Sequence, residues 1–192
     1  MMHRARSLPL SALILAAACS DSRNAATRSG SAGAAGSADP PAEAAGAPPT
    51  PTFRGTVPMK ISVKVGDATY RAEGLGECAS SDQASIYGAP ATQWAARHDG
   101  EDGSDLGSLN LTVWRLKSGG EDQANLSILI EGEDAHQVAT VKGGEIVGRG
   151  KAGVRPAGKG GVLTVQGEDG HGDAIQLSVE CARFDEVVAE GG

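Results

Sequence analysis

The stretch MKISVKV, Met59 to Val65, alternates without a break. Met59, Ile61, Val63 and Val65 fall on one side, and Lys60, Ser62 and Lys64 on the other. Successive side chains of an extended chain point to opposite faces, so this pattern predicts a strand with one buried face and one wet face. Gly66–Asp67 follows as a tight hairpin turn into ATYRAEG. The same reading extends to ATQWAAR, SLNLTVWRLK, ANLSILIEG, HQVATV, EIVGRGKAGV, GVLTVQG and DAIQLSVECARF. These are separated by the turn-rich stretches HDGEDGSD, KSGGED, GED, KGG and GEDGHGD. Only ECASSDQASIYG breaks the rhythm, and it is expected to hold one short helical turn. About eight or nine short strands at regular spacing predict an all-β fold, an antiparallel β-sandwich over residues 53–186. Residues 187–192 are expected to fray.

Aromatic residues make up 3% of the chain, so Val, Ile, Leu and Ala must fill the core, and a covalent staple would help. Three cysteines are present, Cys19, Cys78 and Cys181. Cys181 shares its strand face with Ile175, Leu177 and Val179 and therefore points inward. In an oxidising compartment a Cys78–Cys181 disulfide is expected, closing a loop of about 100 residues. The alternative is a pair of reactive thiols. It lacks a C-x-x-C spacing or a basic neighbour to lower a thiol pKa. The layout is immunoglobulin-like, with Trp94 following Cys78. The two cysteines nevertheless lie farther apart than in such domains, and Val179 stands where their corner tyrosine belongs, so strict immunoglobulin topology is not expected.

The N-terminus supplies the compartment. MMHRAR is basic, and SLPLSALILAAA then runs apolar for about 12 residues, the length of a signal-peptide core and too short for a membrane span. Small residues precede Cys19. This resembles a bacterial lipoprotein signal, cut before a cysteine that is then acylated, with Ala16 and Leu15 at the places where that signal favours leucine nearer the cysteine. The resemblance implies a signal peptide over residues 1–18, a lipid-bearing Cys19 and membrane attachment through its acyl chains. The alternative is an ordinary secretory signal with Cys19 incidental. Ser20 follows the cysteine in place of the aspartate that signals inner-membrane retention, so an outer-membrane location is favoured where the organism has one. Residues 19–52 are rich in Ala, Gly, Ser and Pro. Such a segment cannot bury enough surface to offset its ordering entropy and reads as a disordered tether. Its length corresponds to roughly 30 Å r.m.s..

An acylated cysteine, an Ala/Gly/Ser/Pro tether, and a Gly-rich β-domain with one Cys after its second strand and another ending IQLSVEC resemble, taken together, the mycobacterial small surface-lipoprotein antigens. The resemblance implies an acylated, surface-exposed β-domain. It transfers no enzymatic role. The chain departs from that family in its Trp114 strand, its many acids and its continuation past Cys181.

Charge narrows the partners. The 17 lysines and arginines, less Arg4 and Arg6 of the signal, leave 15 against 24 acids, a formal charge of −9. Nucleic acid is excluded as a partner, because phosphate contact needs an excess of Lys and Arg. GVRPAGKG has the G-x-x-x-x-G-K spacing of a phosphate loop, but Gly160 stands where Ser or Thr must bind magnesium, and a strand follows instead of a helix. It reads as a flexible inter-strand loop. Arg149, Lys151, Arg155 and Lys159 make this the one basic stretch, a candidate contact for an anionic envelope polymer.

Acids cluster in two turns, Asp99, Glu101, Asp102 and Asp105 in one and Glu168, Asp169 and Asp173 in the other. They are candidate calcium ligands without the spacing of an EF-hand loop. His98, His136 and His171 show no zinc-site spacing and read as surface histidines in turns. The sequons at Asn110 and Asn125 lie mid-strand and carry no glycan reading in a bacterial chain. Trp94 and Trp114 are expected to pack in the core or on a sheet face. No G-x-S-x-G elbow is present, and no catalytic set or cofactor is expected. The sequence therefore leads to a non-enzymatic, lipid-anchored envelope protein. Its sandwich presents a binding surface to a partner protein or envelope polymer. The alternative is a periplasmic or surface carrier of calcium or a small ligand.

Overall fold

A computed structural model describes residues 51–188 apart from 102, 132 and 133. The expected signal, Cys19, nearly all of the tether and the end of the tail lie outside the described residues. The fold is all-β. Its strands are β1 (Thr56–Val65), β2 (Ala68–Ile86), β3 (Ala89–Asp99), β4 (Leu106–Leu116), β5 (Gln123–Ile130), β6 (Asp134–Ala139), β7 (Arg149–Ala157), β8 (Gly160–Glu168), β9 (Ala174–Cys181) and β10 (Asp185–Glu186). Hydrogen bonding runs continuously in the order β6-β5-β4-β3-β2-β1-β9-β8-β7, all antiparallel, and β10 pairs in parallel with β2.

The long strand β2 explains how one ladder makes two layers. Residues 68–77 pair with β1, and residues 77–86 pair with β3. The first half belongs to a layer we call sheet I, with β1, β9, β8 and β7. The second half belongs to sheet II, with β3, β4, β5 and β6. Strands that pass from one sheet to the other form the corners of such sandwiches. The crossing needs a residue without a side chain. A Cβ on Gly76 would come within 2.8 Å of Met59 Cε and 2.9 Å of the Arg97 carbonyl oxygen.

Residues 77–86 of the segment ECASSDQASIYG are strand and not a helical turn. The pairing with β3 and a register shift between Ser81 and Ala84 accommodate them. That bulge breaks the period of two, which is why the sequence pattern conceals the strand. The connection that follows is a two-residue turn, Tyr87–Gly88, in which Tyr87 itself has φ 46°. The turn at Gly66–Asp67 is as the sequence predicts, with Gly66 at φ 55° between the paired residues Val65 and Ala68.

Val57, Met59, Ile61 and Val63 of β1 meet Leu163 and Val165 of β8, Ile175, Leu177 and Val179 of β9, and Leu109, Leu111, Val113, Leu126 and Ile128 of sheet II in one core. The aliphatic filling expected from the scarcity of aromatics is what the two inner faces supply. Cys78 and Cys181 are bonded at a Cα–Cα distance of 6.3 Å, 103 residues apart. The bridge joins β2, just past its crossing point, to the last residue of β9. A second, smaller cluster of Ile86, Ala91, Trp114 and Val141 lies apart from this core, with Tyr87 and Leu116 against it. The start of the tail is held in place: Val187 is buried, and its N–H donates to the Ser80 carbonyl at 2.9 Å.

Candidate functional site

The alternation that buries one face of sheet I lays the other open. On β1 the outward residues are Lys60, Ser62 and Lys64. Across the ladders they align with Thr69, Arg71 and Glu73 on β2, and with Gln176, Ser178 and Glu180 on β9. The rows continue through Val162, Thr164 and Gln166 on β8 to Lys151, Gly153 and Arg155 on β7. All of these are exposed or half-buried. The face carries Lys60, Lys64, Arg71, Arg149, Lys151 and Arg155 against Glu73, Glu168 and Glu180, with Glu77 at its corner end. Lys60 lies 3.1 Å from Glu73.

The predicted basic stretch thus belongs to this face. It is mostly strand β7, which corrects the reading of a flexible loop: only Gly158–Lys159 form the turn, between the paired residues Ala157 and Gly160. Arg149 pairs with Glu168 at 2.6 Å and Lys151 with Glu121 at 3.5 Å. Arg155 and Lys159 are exposed.

The opposite, outer face of sheet II differs. Pro51 and Phe53 lie over Arg97, Asn110, Thr112, Asn125 and Ser127, leaving a recess of about 340 Å³. The described chain therefore enters the domain across sheet II, and sheet I's outer face is left clear of it. The tryptophans are packing residues, as expected. Trp114 is buried and its indole N–H donates to Gln93 Oε1 at 3.3 Å. Trp94 packs on the main core, with the Arg115 guanidinium 5.3 Å from its ring centroid. Arg115 also holds Asp122 through two bonds of 2.8 and 2.6 Å and donates to the Val154 carbonyl of β7 at 3.2 Å, tying the two layers.

Among the described residues, the acids of the two turns do not gather as a calcium cage. Asp99 is engaged by Arg97 at 2.9 Å, and Glu168 by Arg149. Glu101 and Asp105 line a surface recess of about 330 Å³ with Glu131. Asp102 lies outside the described residues. Asp173 is exposed, with its N–H spent on Asp169.

Asp169 differs from all of these. Its side chain is fully buried, and it draws together groups that the sequence left scattered. Its Oδ1 accepts the N–H groups of His171 at 2.8 Å and Asp173 at 2.9 Å. Its Oδ2 lies 2.6 Å from His136 Nδ1 and 3.6 Å from His171 Nδ1. Burial alone raises a carboxyl pKa. Here the bonds from His136 and from the Asp173 and His171 amides outweigh it, and the pKa falls below its ordinary value. Among the described residues, His136, Asp169 and His171 form a group with ligand atoms within 4.8 Å of one another.

This corrects the reading of His98 and His136 as surface residues in turns, while His171 is placed as that reading has it. His98 lies on β3 and His136 on β6, with the His136 side chain 12% exposed; His171 alone lies in a turn and is exposed. His136 and Val138 are two apart on β6, and Val138 is in the core. That parity was the available signal that His136 faces inward. The contact with the β8–β9 turn had no local signature.

Comparison with known proteins finds no family, no curated protein and no solved structure that matches this chain.

Proposed function

We propose that this chain is a non-enzymatic, lipid-anchored cell-envelope protein that presents the outer face of sheet I to an anionic envelope polymer. The observation that carries the reading is charge segregation. A chain with an excess of acids places more cations than acids on one open face of five strands. Repeated backbone spacing sets these cations in rows, which suits a polymer with regularly spaced negative groups, and opposite potentials steer such an encounter. Further support comes from the described residues 51–53, which lie over sheet II and not over this face. The basic N-terminus, the apolar run and Cys19 support attachment to a membrane by acylation. The reading of a carrier is less well supported, because the recesses described above lie on the outer surface.

The test uses the full mature chain with Cys19→Ser, titrated with a soluble anionic polysaccharide. Binding should weaken steeply as salt rises. The triple variant Lys64→Glu, Arg71→Glu and Arg155→Glu should lose it by at least about tenfold, since each reversal replaces attraction with repulsion. Lys117→Glu, on the β4–β5 turn, should leave it unchanged. Undiminished binding by the triple variant would overturn the assignment of this face.

A further inference from the structure

The cluster around Asp169 sits where the two layers meet at an edge. His136 is on β6, the edge strand of sheet II. Asp169 and His171 are on the turn between β8 and β9 of sheet I. The backbone is joined here too, the Gly170 N–H donating to the Gln137 carbonyl at 3.2 Å. We propose that His136, Asp169 and His171 form a binding site for one divalent transition-metal ion of the zinc class.

Three features point to this chemistry. The donor set is two imidazoles and one carboxylate, a set that suits zinc and its neighbours and not calcium, which takes oxygen cages. Both imidazoles turn Nδ1 toward the same oxygen, Asp169 Oδ2. The other oxygen of that carboxylate is fixed by two backbone N–H groups, the outer-shell support that orients a ligating carboxylate. Asp169 is buried and His136 half-buried; the 2.6 Å between their ligand atoms opens toward the roughly 3.3 Å of neighbouring ligands on a tetrahedral ion as the bridging proton is released. His171 is 73% exposed, which gives its ring room to swing in and close the spread of 4.8 Å to the shorter separations around an ion. Water completes the coordination from the solvent side. A metal ion here would cross-link the layers next to the start of β9. The disulfide sits at the far end of the same strand, roughly 20 Å away at the rise of an extended chain.

The ion's ligands must be deprotonated, so the test is made at neutral pH. Mature chain with Cys19→Ser, stripped with chelator, is titrated with zinc chloride by calorimetry and with cobalt(II) by visible absorption. The expected result is one ion per chain, a melting temperature that rises with zinc concentration, and no such rise with calcium. His171→Ala should weaken zinc by about tenfold or more while the zinc-free protein remains folded, because that side chain is exposed. His136→Ala should weaken it likewise, and His98→Ala should not. Absence of saturable one-to-one binding at millimolar zinc would overturn the proposal and leave the trio as a hydrogen-bonded staple. So would binding that survives His171→Ala. Neither result bears on the polymer-binding face, which lies on the outer surface of sheet I.

Discussion

Asp169 organises more of its surroundings than any other polar residue described. Its two oxygens satisfy the backbone of its own turn and hold a histidine from the opposite layer. Asp169→Ala leaves these donors without their acceptor, and an unmet buried donor costs about 1–3 kcal/mol. We expect the variant to lower the denaturant midpoint by an amount equivalent to about 2–3 kcal/mol, with the slope of the transition unchanged. Gly76 acts by having no side chain. A methyl there meets Met59 and the Arg97 backbone at distances that real Cβ atoms do not occupy. Gly76→Ala should therefore destabilise the fold by about 1–3 kcal/mol, the ordinary cost of overpacking, read as a drop in melting temperature. The inward aim of Cys181 was legible from its parity with Ile175, Leu177 and Val179. The aim of His136 was equally legible from Val138, but its partner is 33 residues away and no periodicity reports on that.

Among the elements, β2 decides the architecture. Among the described strands it alone has halves that pair in different layers, and the disulfide grips it directly after the crossing. Replacing both cysteines with alanine should cost up to about 4–5 kcal/mol, the chain-entropy value for a loop of this length, and measured losses often fall below it. Comparing the melting of oxidised and reduced protein gives the number. The mirror role at the other side belongs to Arg115 on β4, which reaches Asp122, the ring of Trp94 and the β7 backbone together. Lysine keeps the charge but not the planar fork. Arg115→Lys should lower stability by about 1–2 kcal/mol, measured by equilibrium unfolding, with most of the loss in the contact to β7.

At the scale of the whole molecule, the domain separates its chemistry by face. Sheet I exposes a lattice of cations, sheet II receives the incoming chain at residues 51–53, and the edge between them carries the His–Asp–His group. The anchoring expected at Cys19 belongs to this scale, because it sets where the face is displayed. Mass spectrometry of the mature protein should find an acylated Cys19 as the first residue. An unmodified cysteine, or cleavage elsewhere, would remove the lipid anchor from the proposed function.

The sequence by itself determined the strands, most turns, the aliphatic core and the inward position of Cys181. These follow from local rules: a period of two, glycine at turns, and the burial of apolar side chains. It also brought out the basic stretch and the acidic turns as compositional facts. Only the tertiary structure decided that the basic residues of β7 share a face with Lys60, Lys64 and Arg71, because strand neighbours are set by pairing between distant segments. Only the tertiary structure turned ECASSDQASIYG into the second half of a crossing strand, since its bulge erases the periodic signal. The meeting of His136 with Asp169 and His171 was likewise beyond any local pattern. It exists because two sheets close against each other, and closure depends on the packing of the whole core.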